Sequence, residues 1–139
     1  MREVKALSGA EIDEIIAACR FDDRGLIPCV TVDDESRDVL MVAWMNADAI
    51  RLTLEERRVT YWSRSRTELW RKGETSGHTQ KLRSFALDCD ADVIRITVEQ
   101  TGPACHTGSR TCFDGDPLAV AFTQPNGDGA HASAHPGAS

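Results

Sequence analysis

LIPCVTVDDESRDVLMVAWM, from Leu26 to Met45, consists of two runs of branched and aromatic residues separated by a short polar segment. Leu26–Val32 and Val39–Met45 each have the length and composition of a strand, and the intervening DDESRD is turn chemistry, so the segment predicts a β-hairpin. Pro28 withholds a backbone donor, which predicts that the first strand lies at a sheet edge or is irregular there. Cys29 falls inside the apolar run and reads as core.

Working outward, Ser8-Gly9-Ala10-Glu11 has the spacing of a capping box and predicts a helix reaching about Arg20, with Ile12, Ile15, Ile16 and Cys19 on its buried face. Downstream of the hairpin, Asn46 can cap a second helix over Ala47–Arg58 that presents Ile50 and Leu54 to the core. Val59–Ser63 reads as a short strand, and RSRTELWRKGETSGHTQK (64–81) as a long functional loop. Strands at Leu82–Cys89 and Val93–Gln100 complete an α+β fold: a mixed, mostly antiparallel β meander with packed helices, one domain over residues 1–123. From Gln124 to Ser139 the chain is rich in Gly, Ala, Pro and Ser, which predicts a disordered tail and removes His131 and His135 from the candidate ligands.

Composition bounds the function. The chain has 139 residues, 41% of them hydrophobic, enough for one core. A net charge of -6 argues against general affinity for nucleic acid or an anionic membrane. No apolar run has the length of a membrane span and the N-terminus lacks a signal-peptide core, so the expectation is a soluble, cytoplasmic protein. Five cysteines cannot all pair within one chain, which favours a reducing compartment with thiols free for metal. Charge is unevenly spread: Arg51–Arg83 holds nine Lys/Arg against four Glu, a basic patch suited to a small anionic ligand.

The metal-ligand side chains gather in DCDADVIRITVEQTGPACHTGSRTCF (88–113). On an extended strand Asp88, Asp90 and Asp92 would point to one side and Cys89 to the other, so the carboxylates and the thiol would serve different ions. Three converging carboxylates suit Mg²⁺. An EF-hand reading, with Glu99 at the twelfth position, fails because the sixth is Val93 rather than Gly and the following residues alternate as a strand. Cys105 and Cys112 supply two thiolates of a zinc site without the usual paired knuckle. The third ligand must come from elsewhere, and Cys89 is the natural candidate. Three protein ligands leave the fourth position to a water acidified by the metal, with His78 and His106 as neighbouring bases.

The stretches YWSRSRTELWRKGETSGHTQ (61–80), DCDAD (88–92) and EQTGPACHTGSRTCF (99–113), with the weaker LMVAWMNADAI (40–50), resemble the phosphoribosyl-AMP cyclohydrolase family of histidine biosynthesis. The resemblance implies a Zn²⁺- and Mg²⁺-dependent obligate homodimer, with active sites at the subunit interface, that hydrolyses the N1–C6 bond of 1-(5-phosphoribosyl)-AMP. It implies Mg²⁺ on Asp88, Asp90 and Asp92, and Zn²⁺ on Cys89 of one subunit with Cys105 and Cys112 of the other. With that substrate, Arg64, Arg66, Arg71 and Lys72, aided by Ser63 and Ser65, become candidates to hold its two phosphates, and Trp62 or Trp70 to stack on the purine. Glu74, His78 and His106 become candidate acids and bases. The rival reading is a non-catalytic, zinc-stabilised RNA-binding module gripping single strands with its Arg/Trp-rich loop.

Overall fold

A computed structural model describes residues 1–124; the expected disordered tail and its two histidines lie at 125–139, outside the described residues. The first helix, α1 (Gly9–Ala18), starts at the expected capping box: the Glu11 amide donates to Ser8 Oγ at 3.1 Å and the Ser8 amide to Glu11 Oε1 at 2.9 Å. The hairpin follows as β1 (Ile27–Asp33) and β2 (Val39–Met45), in antiparallel register from Ile27↔Met45 to Val32↔Val39. Asn46 caps α2 (Ala47–Glu56) by accepting from the Ala49 amide at 2.8 Å, and the helix ends where Arg57 turns left-handed at φ 61°. Then come β3 (Thr60–Ser63), β4 (Glu68–Arg71), β5 (Gln80–Leu87) and β6 (Ile94–Gln100).

The six strands form one mixed sheet in the order β4-β3-β2-β1-β6-β5, antiparallel throughout except for the parallel pair β1·β6. Two expectations are corrected here. First, β1 is an interior strand, not an edge. Pro28 is tolerated because the parallel ladder to β6 begins only at Cys29↔Ile94, one residue later, so that ladder needs no donor from it. Second, the presumed loop after β3 contains β4, which pairs with β3 from Thr60↔Arg71 to Ser63↔Glu68. Four residues are too few to display alternation. ELWR becomes a strand because β3 offers it an open ladder and because Trp70 packs on Tyr61, ring centroids 5.4 Å apart.

The sheet curls until its two flanks meet. Lys81 bridges Arg58 just ahead of β3, the Val59 amide donates to the Gln80 carbonyl at 3.0 Å, and the Leu82 amide to the Arg57 carbonyl at 2.8 Å. Inside the curl lies an apolar core that includes Ile27, Leu40, Met45, Ile50, Val59, Ile94, Ile96 and Val98, all fully buried. Each such side chain contributes roughly 1.5–3 kcal/mol through loss of apolar surface from water. Through this core runs one polar chain. Tyr61 donates to Gln80 Oε1 at 2.6 Å and shares a 2.7 Å hydrogen bond with Thr31 Oγ1, while Gln80 Nε2 donates to Gln100 Oε1 at 2.8 Å. Removing the phenol in Tyr61→Phe leaves Gln80 and Thr31 each short of a buried partner. The expected cost is about 1–3 kcal/mol, read as a lower urea midpoint at unchanged slope.

Candidate active site and metal centres

After β4 the chain enters Lys72–Thr79, a tight loop whose shape is dictated by glycines. Gly73 has φ 79°, and a Cβ there would come within 2.4 Å of the His78 carbonyl carbon and 2.5 Å of the Thr79 nitrogen. Only glycine fits such a backbone crossing. Gly102, at φ 72° just beyond β6, is the platform for the His78 ring: a Cβ there would lie 2.6 Å from Cδ2 and 3.1 Å from Nε2. The two glycines thus set the direction of one imidazole.

A cavity of about 590 Å³ opens beside this loop. Its walls include Glu74, His78, Cys105 and His106, so all three candidate acid/base residues and one candidate zinc ligand converge although they come from segments on either side of β5 and β6. Arg66, Trp70, Arg71 and Lys72 line the same cavity. Ser63, Arg64 and Ser65 are absent from its walls. They sit at the β3–β4 turn, where Arg64 lies 4.6 Å over the Trp44 ring and the two serine hydroxyls are 3.4 Å apart. Arg66 and Arg71 reach Glu68 and Glu56 at 3.5 and 3.4 Å, and these solvent-washed pairs hold their partners only weakly.

Lys72, expected at a phosphate, has a different environment. It is the single charged side chain among the buried described residues, 7% exposed, with Nζ donating to the Ala104 carbonyl at 2.6 Å and lying 5.0 Å over the Trp70 ring. Burial pulls its ammonium below the usual lysine range, and the Cys112 and Cys105 thiols pull it back up. Those thiols face each other across a loop closed by the Cys105 amide on the Ser109 carbonyl at 3.1 Å, with the Cys112 amide anchored to the Leu40 carbonyl at 2.7 Å. Thr107 Oγ1 donates to Cys105 Sγ at 3.1 Å and is the first cause of an acidified thiol, reinforced by Cys112 and Lys72. Desolvation, then Cys105, raises Cys112. Two thiols brought together in this way are half of a soft-metal site and fit zinc.

Cys89 is elsewhere. It lies with the aspartates in the turn between β5 and β6, whereas Cys105 and Cys112 follow the far end of β6. About 20 Å of extended chain separates the two ends of that strand.

The aspartates converge, but not by strand alternation, because β5 stops at Leu87 and Asp88–Val93 is a tight turn with Ala91 at φ 60°. Asp88 Oδ1 accepts from the Asp92 and Val93 amides at 3.1 and 3.2 Å, and the carboxylates of Asp88, Asp90 and Asp92 offer oxygens within 4.8 Å of one another. Desolvation and then the Asp88 charge hold the Asp92 carboxyl above its ordinary value. Mutual repulsion of oxygen ligands in a small exposed cluster is the donor chemistry of a hard cation, and the residues fit Mg²⁺.

A family model described as Phosphoribosyl-AMP cyclohydrolase matches residues 41–114. The chain belongs to that family. The matched span carries the cyclohydrolase motifs from β2 through Cys112, and hence the cavity and both candidate metal centres. A phosphoribosyl-AMP cyclohydrolase of Micrococcus luteus is 57% identical over 108 residues, covering 78% of this chain and 86% of its own. Proteins of the same name from Leifsonia xyli (56% over 108 residues, 78% and 86% covered) and Paracoccus denitrificans (57% over 97 residues, 70% and 80% covered) are similarly close. As a cyclohydrolase the chain is an enzyme; of the tryptophans of the Arg/Trp-rich stretch, Trp70 packs on Tyr61 and Trp62 lies opposite Trp44.

Two outcomes follow from this geometry. Gly102→Ala drives a methyl into the His78 ring, so turnover should fall at least tenfold while the circular dichroism spectrum stays native; full activity would show that the ring's position is immaterial. Asp92 gives the opposite sign on stability. A carboxyl whose folded value is raised contributes stability that is complete in acid and is lost as pH rises through the folded value. Asp92→Asn should therefore raise the melting temperature of metal-free protein at neutral pH, lose that advantage below about pH 4, and abolish the stabilisation that Mg²⁺ gives the parent protein.

Proposed function

We propose that the protein opens the adenine ring of 1-(5-phosphoribosyl)-AMP by hydrolysing its N1–C6 bond, as a step of histidine biosynthesis, in a homodimer that uses both Zn²⁺ and Mg²⁺. The observation that carries this reading is the convergence of Glu74, His78, His106 and Cys105 on one cavity flanked by Arg66 and Arg71. The substrate's phosphates call for such cations, and Arg71 retains an Nε–H with no partner. When bound, zinc on the cysteines supplies a water acidified enough to attack carbon near neutral pH. Substitution at N1 leaves C6 electron-poor. Addition of water there and cleavage of C6–N1 turn the water oxygen into a carbonyl, so both water protons leave it: one reaches N1, and the other goes to the exocyclic imine nitrogen or, where that nitrogen is already an amino group, to solvent. The exocyclic nitrogen stays as a carboxamide and no ammonia is lost. Glu74, His78 and His106 are the groups placed to carry those protons, and loss of one limb of the pH–rate profile in a single variant identifies its role.

The two metals divide by donor chemistry: Asp88, Asp90 and Asp92 would hold Mg²⁺, and Cys105 and Cys112 would hold zinc with Cys89 of the partner subunit. The separation of Cys89 from the pair along β6 supports sharing, because one chain by itself does not bring the three thiols together. A twofold dimer then has two such sites. Free thiols and a doubly phosphorylated substrate fit a cytoplasmic location, and among the described residues no helix is long and apolar enough to cross a membrane.

Chelation should abolish the ultraviolet change that accompanies ring opening, with recovery on adding Zn²⁺ and Mg²⁺ together. Cys89→Ser and Cys105→Ser should each be inactive alone. After unfolding and refolding as a mixture they should regain about a quarter of parental activity, since about half the dimers are mixed and each mixed dimer has one intact site. A mixture as inactive as its components would sink the shared site.

A further inference from the structure

Lys72 is a buried amine, and a buried ammonium is expensive unless its charge has partners. Its surroundings name them. Nζ donates to the Ala104 carbonyl, the residue preceding Cys105, and rests over Trp70. The Cys112 and Cys105 thiols lie within electrostatic reach of it, and among the described residues no carboxylate forms a salt bridge with it. Its backbone is equally fixed, the amide donating to the Val59 carbonyl at 3.0 Å immediately before the Gly73 crossing. Arg66 and Arg71, in contrast, stay at the mouth with glutamates as partners.

We propose that Lys72 is a positioning residue for the zinc centre: it clamps the Ala104–Cys105 loop and supplies the cation that offsets the charge of a thiolate-rich metal site. This rests on the reading of Cys105 and Cys112 as zinc ligands. Three thiolates around Zn²⁺ carry a net negative charge, which opposes both metal loading of the last thiolate and loss of a proton from the remaining ligand. A lysine fixed behind the loop reduces that charge without occupying a coordination position.

The test is zinc affinity, measured by competition with a chromophoric chelator on the full chain, for the parent and for Lys72→Met, Lys72→Gln and Lys72→Arg. Lys72→Gln keeps a donor and loses the charge, so it separates electrostatics from loop clamping. Both neutral variants should bind zinc at least tenfold more weakly, while Lys72→Arg stays within a few-fold of the parent. Metal-free Lys72→Met should melt no lower than the metal-free parent, because an apolar chain replaces a buried charge. Equal affinity in the parent and both neutral variants would overturn the proposal. Failure of the parent itself to bind zinc would instead overturn the ligand assignment on which it rests.

Discussion

The side chain of Gln80 sits where the curled sheet meets itself. The Gln80 backbone carbonyl receives the Val59 amide, its side-chain oxygen receives the Tyr61 phenol, and its side-chain nitrogen donates to Gln100, so one residue ties the entry to β3, the core and the end of β6. All of these groups are buried or nearly so, and a buried polar chain is favourable only when every member is partnered. That condition makes the closure specific. A slip in the pairing of β5 would strand a phenol and two amides inside the apolar core. The residue pair before Gln80 is His78-Thr79, and the residues after Gln100 are Thr101 and Gly102, the platform of the His78 ring. The seam that closes the fold is therefore also what fixes the His78 imidazole relative to the cysteine loop.

This dependence explains what could be read from the chain beforehand. Both helices and the first hairpin announce themselves locally, through a capping box, an asparagine cap and two apolar runs, because their information lies within a few residues. The location of β1 at the centre of the sheet depends on β6, which lies some sixty residues later, and no local pattern encodes that pairing. β4 escaped because its four residues take their conformation from an existing edge rather than from their own propensity. The candidate site was legible in a similar way. Residue types pointed to candidate metal ligands and acid/base residues, while their distances came from topology. The mistaken step was geometric: alternation along a strand was used for Asp88–Asp92, where a turn with Ala91 in the left-handed region produces the convergence instead. Lys72 illustrates what only the fold supplies: its place in a basic stretch made it a phosphate candidate, and the tertiary structure adds that it is folded inward over Trp70.

The distribution of charge over the two ends of β6 has its own logic. A hard, hydrated cation needs an exposed cluster that can keep water, and the Asp88–Val93 turn is exposed and held by its own backbone bonds. A soft ion needs thiol ligands held in fixed positions, which the cysteine loop provides through its bonds to Leu40, Ser109 and Lys72. One strand cannot serve both environments at one end. Placing the clusters at opposite ends keeps a strongly acidic site away from a site whose donors must lose protons. Cys89 lies in the acidic turn, so its thiol can complete a cysteine pair only when a second molecule brings that turn to the cysteine loop. The same encounter would carry the aspartates to the cavity, where the phosphates of a nucleotide need a divalent ion. Dimerisation would on this logic do more than add a ligand to zinc: it would unite two chemically incompatible centres that a single chain keeps apart.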